Sequence, residues 1–481
     1  MAQVLAVDLG GSGMKLGLFA DSGAVLAQAR VPLAFDEGFA GHSEADPESW
    51  WQALLQGVSQ MGVSLGNVGL VAICGFTRTQ VFLDAENKVL RPAFGFRDNR
   101  AMLEASALQQ HLGEETGLNG FHPLARLAWL KKHEPDHWAQ LAYVIEPKDY
   151  LILRLTGRVV SDAISLKLLK ESYAGAGRSL AARVGLDKDL LPPIGAPLDI
   201  VAQVQGGLPA PLADLRGADV MLGTNDTWMA VAGMGAMAAG RAYCVSGSSE
   251  VLGLLSEAPA SAKGLVQVQW GEALWHLGGP GQNGSNVQDW ADTAFATTTA
   301  DDQNTARDLR KGLLFLPFLQ GERVPYWDGN LRGAMLGLDD KATPADLRIA
   351  ALAGVAHMNR LVLERAEAGA LIRVDALRIG GGGSRNRLWN QIRADVTGRD
   401  ILVSPAQEMG LAGLHAAARV ALRETPDLSQ AADQTLPPFD IYRPDPTMRA
   451  YHDQMHAIFS QAHEALAPIS HLLVKAASDG R

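Results

Sequence analysis

The chain has 481 residues, of which 47 % are hydrophobic, and a formal net charge of -10 at pH 7. That length predicts two large domains rather than one core, and the acidic balance, with no massed lysines and arginines, excludes duplex nucleic acid as a partner. No apolar run approaches the ~18 residues of a membrane span, no basic-then-apolar secretory leader opens the chain, and both cysteines, Cys74 and Cys244, sit in apolar runs as reduced core residues do, so a cytoplasmic protein without a membrane partner is expected.

Residues 4–8 read as a buried strand, 10–13 as a tight turn, 14–19 as a second strand and, past Asp21 and Ser22, 24–31 as a third. Asp46, Pro47 and Glu48 carry the cap, first-position and dipole signals of a helix start. Residues 68–74 form another apolar strand, closed by Gly75. A similar opening recurs past the midpoint, with strands at 241–245 and 251–255 around the small-residue turn 246–249, and a third strand expected at 264–269. The pattern implies two copies of one architectural unit. The boundary falls near 232–240, an Ala, Gly and Met stretch that suits a hinge and equally suits close helix packing. Thr343, Pro344 and Asp346 start a helix, and another follows the glycine run 380–383 with Leu388, Trp389, Ile392 and Val396 on one side.

Four segments carry chemistry. Asp8 ends a buried strand and leads into Gly10, Gly11 and Ser12, so exposed amides stand beside an acid. Such a turn can wrap a terminal phosphate while Asp8 holds Mg²⁺, and Lys15 on the next strand can face the same place; a plain hairpin is the alternative. Ser248 and Ser249 give a second turn hydroxyls and amides without charge. Gly382, Gly383 and Asn386 lie at a strand-to-helix junction where the backbone can approach a nucleotide with no Cβ in the way. Asp226 follows the strand 219–222 and precedes an apolar helix. Two roles are open to it: base toward an attacking hydroxyl, or N-cap of that helix. The pair Glu322 and Arg323, in a proline-bounded loop after an apolar strand, reads as structural.

Together these segments resemble the FGGY carbohydrate kinases, and within them the xylulokinase-like branch. The resemblance spans nearly the whole chain in order, and 312–333 reads like the family's signature segment. Further matches are Asp8-Leu9-Gly10 with Lys15, Glu44-Ala45-Asp46-Pro47 leading to Trp50-Trp51, Arg97-Asp98-Asn99-Arg100, Pro147-Lys148-Asp149-Tyr150 with Arg154-Leu155-Thr156-Gly157, and Gly381-Gly382-Gly383. The resemblance implies an α/β fold of two actin-like (ribonuclease-H-like) domains of duplicated architecture with an interdomain cleft. Residues 1–235 would bind the sugar and carry the base, and 236–481 would bind ATP.

By position, Asp226 takes the family's catalytic-base role and Asp8 its metal-side acid. Gly10, Gly11, Ser12, Lys15, Ser248, Ser249, Gly382, Gly383 and Asn386 fall at ATP. Thr77, Arg78, Asp98 and Thr227 fall at the sugar. The implied activity is Mg²⁺- and ATP-dependent phosphorylation of a small sugar, a pentulose such as xylulose, and the family's frequent dimerisation implies a homodimer. Two departures touch the sugar. Where xylulokinases have Gln-Met-His-Gly after this strand, the chain reads Phe76-Thr77-Arg78-Thr79-Gln80, and Thr227 replaces the usual Asn or Gln after the base. Arg78 can serve a different hydroxyl pattern or an acidic sugar, or pair with a neighbouring carboxylate. A kinase of another ketose or polyol (ribulose, glycerol or erythritol type) is the enzymatic alternative. An actin-like sugar sensor without turnover is the non-enzymatic one.

Overall fold

The computed structural model describes residues 3–38, 41–113, 117–175, 179–271, 273–295, 311–406 and 408–479. The chain divides into two compact units. The first is Met1–Gly233 with Gly410–Thr435, and the second is Met234–Met409 with Leu436–Arg481. The division is therefore crossed more than once, because 410–435 returns to the first unit.

The first unit is built on a six-stranded sheet of β1 (Gln3–Gly10), β2 (Gly13–Phe19), β3 (Val25–Pro32), β4 (Val68–Gly75), β5 (Ile200–Gln203) and β6 (Asp219–Met221), in the order β3-β2-β1-β4-β6-β5. β1, β4 and β6 run parallel, and the remaining neighbours are antiparallel. Helix α1 (Pro47–Met61) starts where Asp46 accepts a hydrogen bond from Glu48 N at 2.9 Å, with Pro47 at its first position. Its buried stripe, Trp50, Trp51, Leu54 and Val58, joins Leu5, Val7, Leu16 and Ile73 in one core.

The second unit carries β7 (Ala242–Ser246), β8 (Glu250–Ser256), β9 (Val266–Gly271), β10 (Leu274–Pro280), β11 (Ala376–Gly380), β12 (Asp400–Val403) and β13 (Asp440–Tyr442), ordered β9-β10-β8-β7-β11-β12-β13. Six of these repeat the strand directions of the first sheet in spatial order, although the closing edge strand precedes its neighbour along the chain in the first unit and follows it here. β10-β8-β7 is an antiparallel set, β7, β11 and β12 are parallel, and β13 closes antiparallel. A strand forms where 264–269 predicts one, at Val266–Gly271, but it is not the counterpart of β3. Val266–Gly271 is an extra edge strand paired only with β10, and it buries little beyond Trp270. Leu274–Pro280, with a buried centre, takes the place that β3 holds in the first unit.

Around this sheet lie α4 (Ser285–Ala294), α5 (Pro344–Ala370), α6 (Arg387–Thr397) and α7 (Arg449–Asp479), while α2 (Pro147–Thr156) and α3 (Asp226–Gly233) belong to the first unit. Thr343 and Asp346 cap α5 reciprocally, Asp346 N to Thr343 Oγ1 at 3.2 Å and Thr343 N to Asp346 Oδ2 at 2.9 Å. Cys74 and Cys244 are free and buried. Among the described residues no helix is long and apolar enough to cross a membrane.

Candidate active site

In the first unit the carboxyl ends of the parallel strands β1, β4 and β6 lie together, the place where open α/β sheets bind ligands. Asp8 pairs across the hairpin with Lys15 and, on the other side, with Cys74 of β4. Lys15 Nζ stands 3.7 Å from Asp8 Oδ2, and the Cys74 thiol donates to Asp8 Oδ1 at 3.5 Å. Burial and the two aspartates, Asp8 and Asp226, push the Cys74 thiol well above its ordinary pKa, so it remains protonated. Gly10 and Gly13 close the hairpin around Gly11 and the exposed Ser12. A Cβ on Gly11 would come within 3.0 Å of the Phe96 ring.

The route from β6 to Asp226 is narrow. Gly223 has φ 64°, and a Cβ there would sit 1.8 Å from Ile73 O, so no other residue fits. Thr224 O then accepts from Gly75 N at 3.3 Å, and Asn225 bridges Gly75, tying this loop to the end of β4. Asn225 settles the capping question: its Oδ1 accepts from Trp228 N at 2.8 Å, so the cap of α3 is Asn225, one residue before Asp226. The half-buried Asp226 carboxylate accepts instead from Thr227 N at 2.6 Å and Thr227 Oγ1 at 3.3 Å, both on Oδ1. Burial raises its pKa above the ordinary carboxylate value, against the pull of the Thr227 donors and Lys15. A carboxylate so placed is a better proton acceptor than one in water.

The loop after β4 presents Thr77, half-buried, and Arg78, exposed with φ 64°. The Arg78 guanidinium makes no hydrogen bond or ion pair with the described residues, whereas its backbone is gripped from below. Fully buried Arg126 donates to Arg78 O at 2.8 Å and Gln80 Oε1 at 2.6 Å, and with its other nitrogen to Gly95 O and Asp98 O. Burial lowers the Arg126 pKa to about 10, with Asp98 and Glu146 opposing. Glu146 accepts from Thr79 N at 3.1 Å. Asp98 stands apart from this surface. It is fully buried, with both oxygens engaged by Arg100 and Oδ2 also accepting from Ser43 N at 2.8 Å.

In the second unit the Ser246–Glu250 turn and the glycine run are neighbours because β7 pairs with β11, Val245 opposite Gly380. Gly381, at φ 102°, could carry no Cβ, which would meet Ser246 O at 2.3 Å. Beneath them, buried Glu250 accepts from Ser246 Oγ at 2.7 Å and from Arg393 and Asn359, and Arg393 lies over the Trp389 ring at 3.8 Å. On this base Ser248 is exposed, Ser249 is half-buried, Gly382 faces open space and Gly383 is buried. Asn386 caps α6 through Trp389 N at 3.1 Å. Glu322 accepts from the main chain at Gln282 N and at Arg323 N (2.9 Å), and from the Asn283 side chain, Nδ2, at 2.9 Å. Arg323 reaches Gly281 O and Ser249 Oγ.

Sequence reasoning missed three site residues: Cys74 beside Asp8, Asn225 as the cap, and Gly410, where a Cβ would stand 2.5 Å from Asp8 Oδ2. The strand register of Cys74 against Asp8 could have shown the first. Nothing local could have shown Gly410. Among the described residues no group of three or more His, Cys, Asp or Glu is arranged to hold a metal. A single carboxylate such as Asp8 is nonetheless the donor set that suits Mg²⁺ in phosphoryl-transfer sites, where phosphate oxygens and waters supply the other ligands.

Residues 3–233 match the family model described as the FGGY family of carbohydrate kinases, N-terminal domain, and residues 242–422 match its C-terminal domain. The chain is 28 % identical to the xylulose kinase of Escherichia coli (strain K12), over 97 % of this chain and 99 % of that protein. Ligand-bound xylulose kinase from Lactobacillus acidophilus has a TM-score of 0.85 at 21 % identity, covering 97 % and 99 % of the two chains. Gluconate kinase from the same organism also has a TM-score of 0.85 at 21 % identity, covering 97 % and 98 %. With both halves matched, and with the duplicated actin-like sheets found in each unit, the chain belongs to the FGGY family of carbohydrate kinases and is a xylulokinase-like sugar kinase that uses ATP.

Proposed function

We propose that this kinase moves the terminal phosphoryl group of ATP directly onto a hydroxyl of a pentulose such as xylulose, with Asp226 as general base. The observation that carries the reading is the division of labour at the start of α3. Asn225 caps the helix, so the Asp226 carboxylate is left at the strand ends with its pKa raised. Asp226 would accept the hydroxyl proton as the oxygen attacks phosphorus, and Thr227 N holds Oδ1 in place. Lys15 and the amides of Gly10, Gly11 and Ser12 would face the phosphates from the first unit, and Ser248, Ser249, Gly382, Gly383 and Asn386 would bind ATP in the second. Asp8 would hold Mg²⁺, whose charge would neutralise that of the phosphates. The named xylulose kinase relative supports the sugar class.

A second reading keeps the fold and changes the sugar, and Arg78 favours it. Its charge stands in the sugar loop without a partner among the described residues, and gluconate kinase shows TM-score likeness equal to that of xylulose kinase. An ADP-release screen over ketoses, polyols and aldonates decides between them, with Asp226→Asn as the blank. The base reading expects Asp226→Asn to bind ATP and to lose at least about 10²-fold in kcat. Turnover close to wild type in that variant ends it.

A further inference from the structure

The Pro147-Lys148-Asp149 motif has no part in the reading above, yet its side chains reach both loops of the first unit's site. Lys148 is fully buried. Its Nζ lies 2.5 Å from Asp149 Oδ1, 2.9 Å from Asp162 Oδ2 and 3.4 Å from Leu222 O. Asp162 Oδ1 in turn accepts from Thr224 Oγ1 at 2.7 Å. The loop that delivers Asp226 is thus pinned at Leu222 through the ammonium and at Thr224 through the carboxylate. From the same helix start, Glu146 takes the backbone N–H of Thr79, next to Arg78. Asp149 Oδ2 closes the turn on itself by accepting from Glu146 N at 3.0 Å, and it also takes Ser161 Oγ at 2.6 Å. Two carboxylates around one buried ammonium make a poor device for stability, since apolar residues of the same volume generally do as well or better. They make a good one for fixing positions.

We infer that the first turn of α2 is a common mount for the sugar loop and the base loop, with Lys148, Asp162 and Thr224 as positioning residues for Asp226. The inference rests on Asp226 being the base. Displacing a base by about 1 Å can cost up to 10²-fold in rate without touching ATP.

Thr224→Val removes one hydroxyl at constant volume, and Thr224→Ser keeps it. We expect Thr224→Val to lose about tenfold in kcat with KM for ATP unchanged, and to hydrolyse more ATP per sugar phosphorylated, as a misplaced base lets water compete. Thr224→Ser should restore kcat and coupling. Lys148→Met should lose more than Thr224→Val, and Lys148→Arg should recover part of it. If Lys148→Met does not fold, the Thr224 pair still decides. Wild-type kcat and coupling in Thr224→Val beside a dead Asp226→Asn would overturn the mount alone. So would a Thr224→Ser variant as poor as the valine. Full turnover in Asp226→Asn would overturn the base reading, and the mount with it.

Discussion

The hairpins that open the two sheets hold the same place in the same strand order but treat their acids in opposite ways. Asp8 and Glu250 are almost equally buried, 6 % and 4 % exposed, and each lies beside its turn. Glu250 is locked from three sides by Ser246, Arg393 and Asn359, one of them from α5 and one from α6. Asp8 counts among its partners Lys15 at 3.7 Å and a thiol at 3.5 Å, both from neighbouring strands of its own sheet. The duplicated scaffold thus uses one acid as a fastener beneath its turn, and under the proposed function the other would serve the chemistry.

Substitution should separate the two. Arg393→Met leaves the Glu250 carboxylate buried and unpaired, and the expected loss is about 3–5 kcal/mol of stability, read by chemical denaturation. The double variant Arg393→Met with Glu250→Gln should recover much of it, because the stranded charge is gone. Asp8→Asn should do the reverse. We expect kcat to fall about 10²-fold or more, a barrier increase of about 2.7 kcal/mol, with the melting temperature within about 2 °C of wild type. If Asp8→Asn destabilises as strongly as Arg393→Met, the contrast between fastener and reagent fails.

The loop after β4 extends the comparison to the backbone. Arg78 adopts φ 64°, which costs a non-glycine residue roughly 1 kcal/mol, and Arg126 and Glu146 hold it there. Arg78→Gly should therefore raise stability by up to about 1 kcal/mol. If the side chain contacts sugar, the same change raises the sugar KM while leaving KM for ATP alone. Steady-state kinetics and a melt on one sample test both halves. Unchanged sugar KM would relegate Arg78 to the surface.

What was legible in the sequence was local. Asp46-Pro47 and Thr343-Pro344-Asp346 announce helix starts because caps act over three residues, and 4–19 announces a hairpin because its alternation and turn are contiguous. Partners brought from afar were not legible. Arg393 meets Glu250 across 143 residues, Thr224 meets Asp162 across 62, and Gly410 arrives against Asp8 from the far end of the chain. The strand expected at 264–269 forms as Val266–Gly271, but its place at the edge was not legible, because 274–280 pairs as well and only tertiary burial ranks the two. Asp226 was left ambiguous by local sequence because Asn225 and Asp226 can each cap a helix. The choice went to Asn225, whose backbone bridges Gly75 of β4.

The smallest effect concerns stability at Asp226 and has a definite sign. Its folded pKa is raised above the ordinary 3.8 by burial, with Thr227 and Lys15 opposing. A raised carboxylate favours the folded state fully only below its unfolded pKa, where it is protonated in both states, and that advantage is lost as pH rises through the folded value. At neutral pH, above the unfolded value, the wild type therefore bears a cost from this partly desolvated carboxyl group, which Asp226→Asn removes while keeping an oxygen for Thr227 N. The variant should melt higher than wild type at pH 7, by on the order of a degree. The gap should close as pH falls toward 3.8. A dead enzyme that is more stable at neutral pH, and no more stable in acid, is the signature of a group retained for its chemistry. A variant that melts lower at pH 7 would mean that the Asp226 charge is held by favourable contacts, in the manner of Glu250, and the distinction between the two hairpins would not extend to the base.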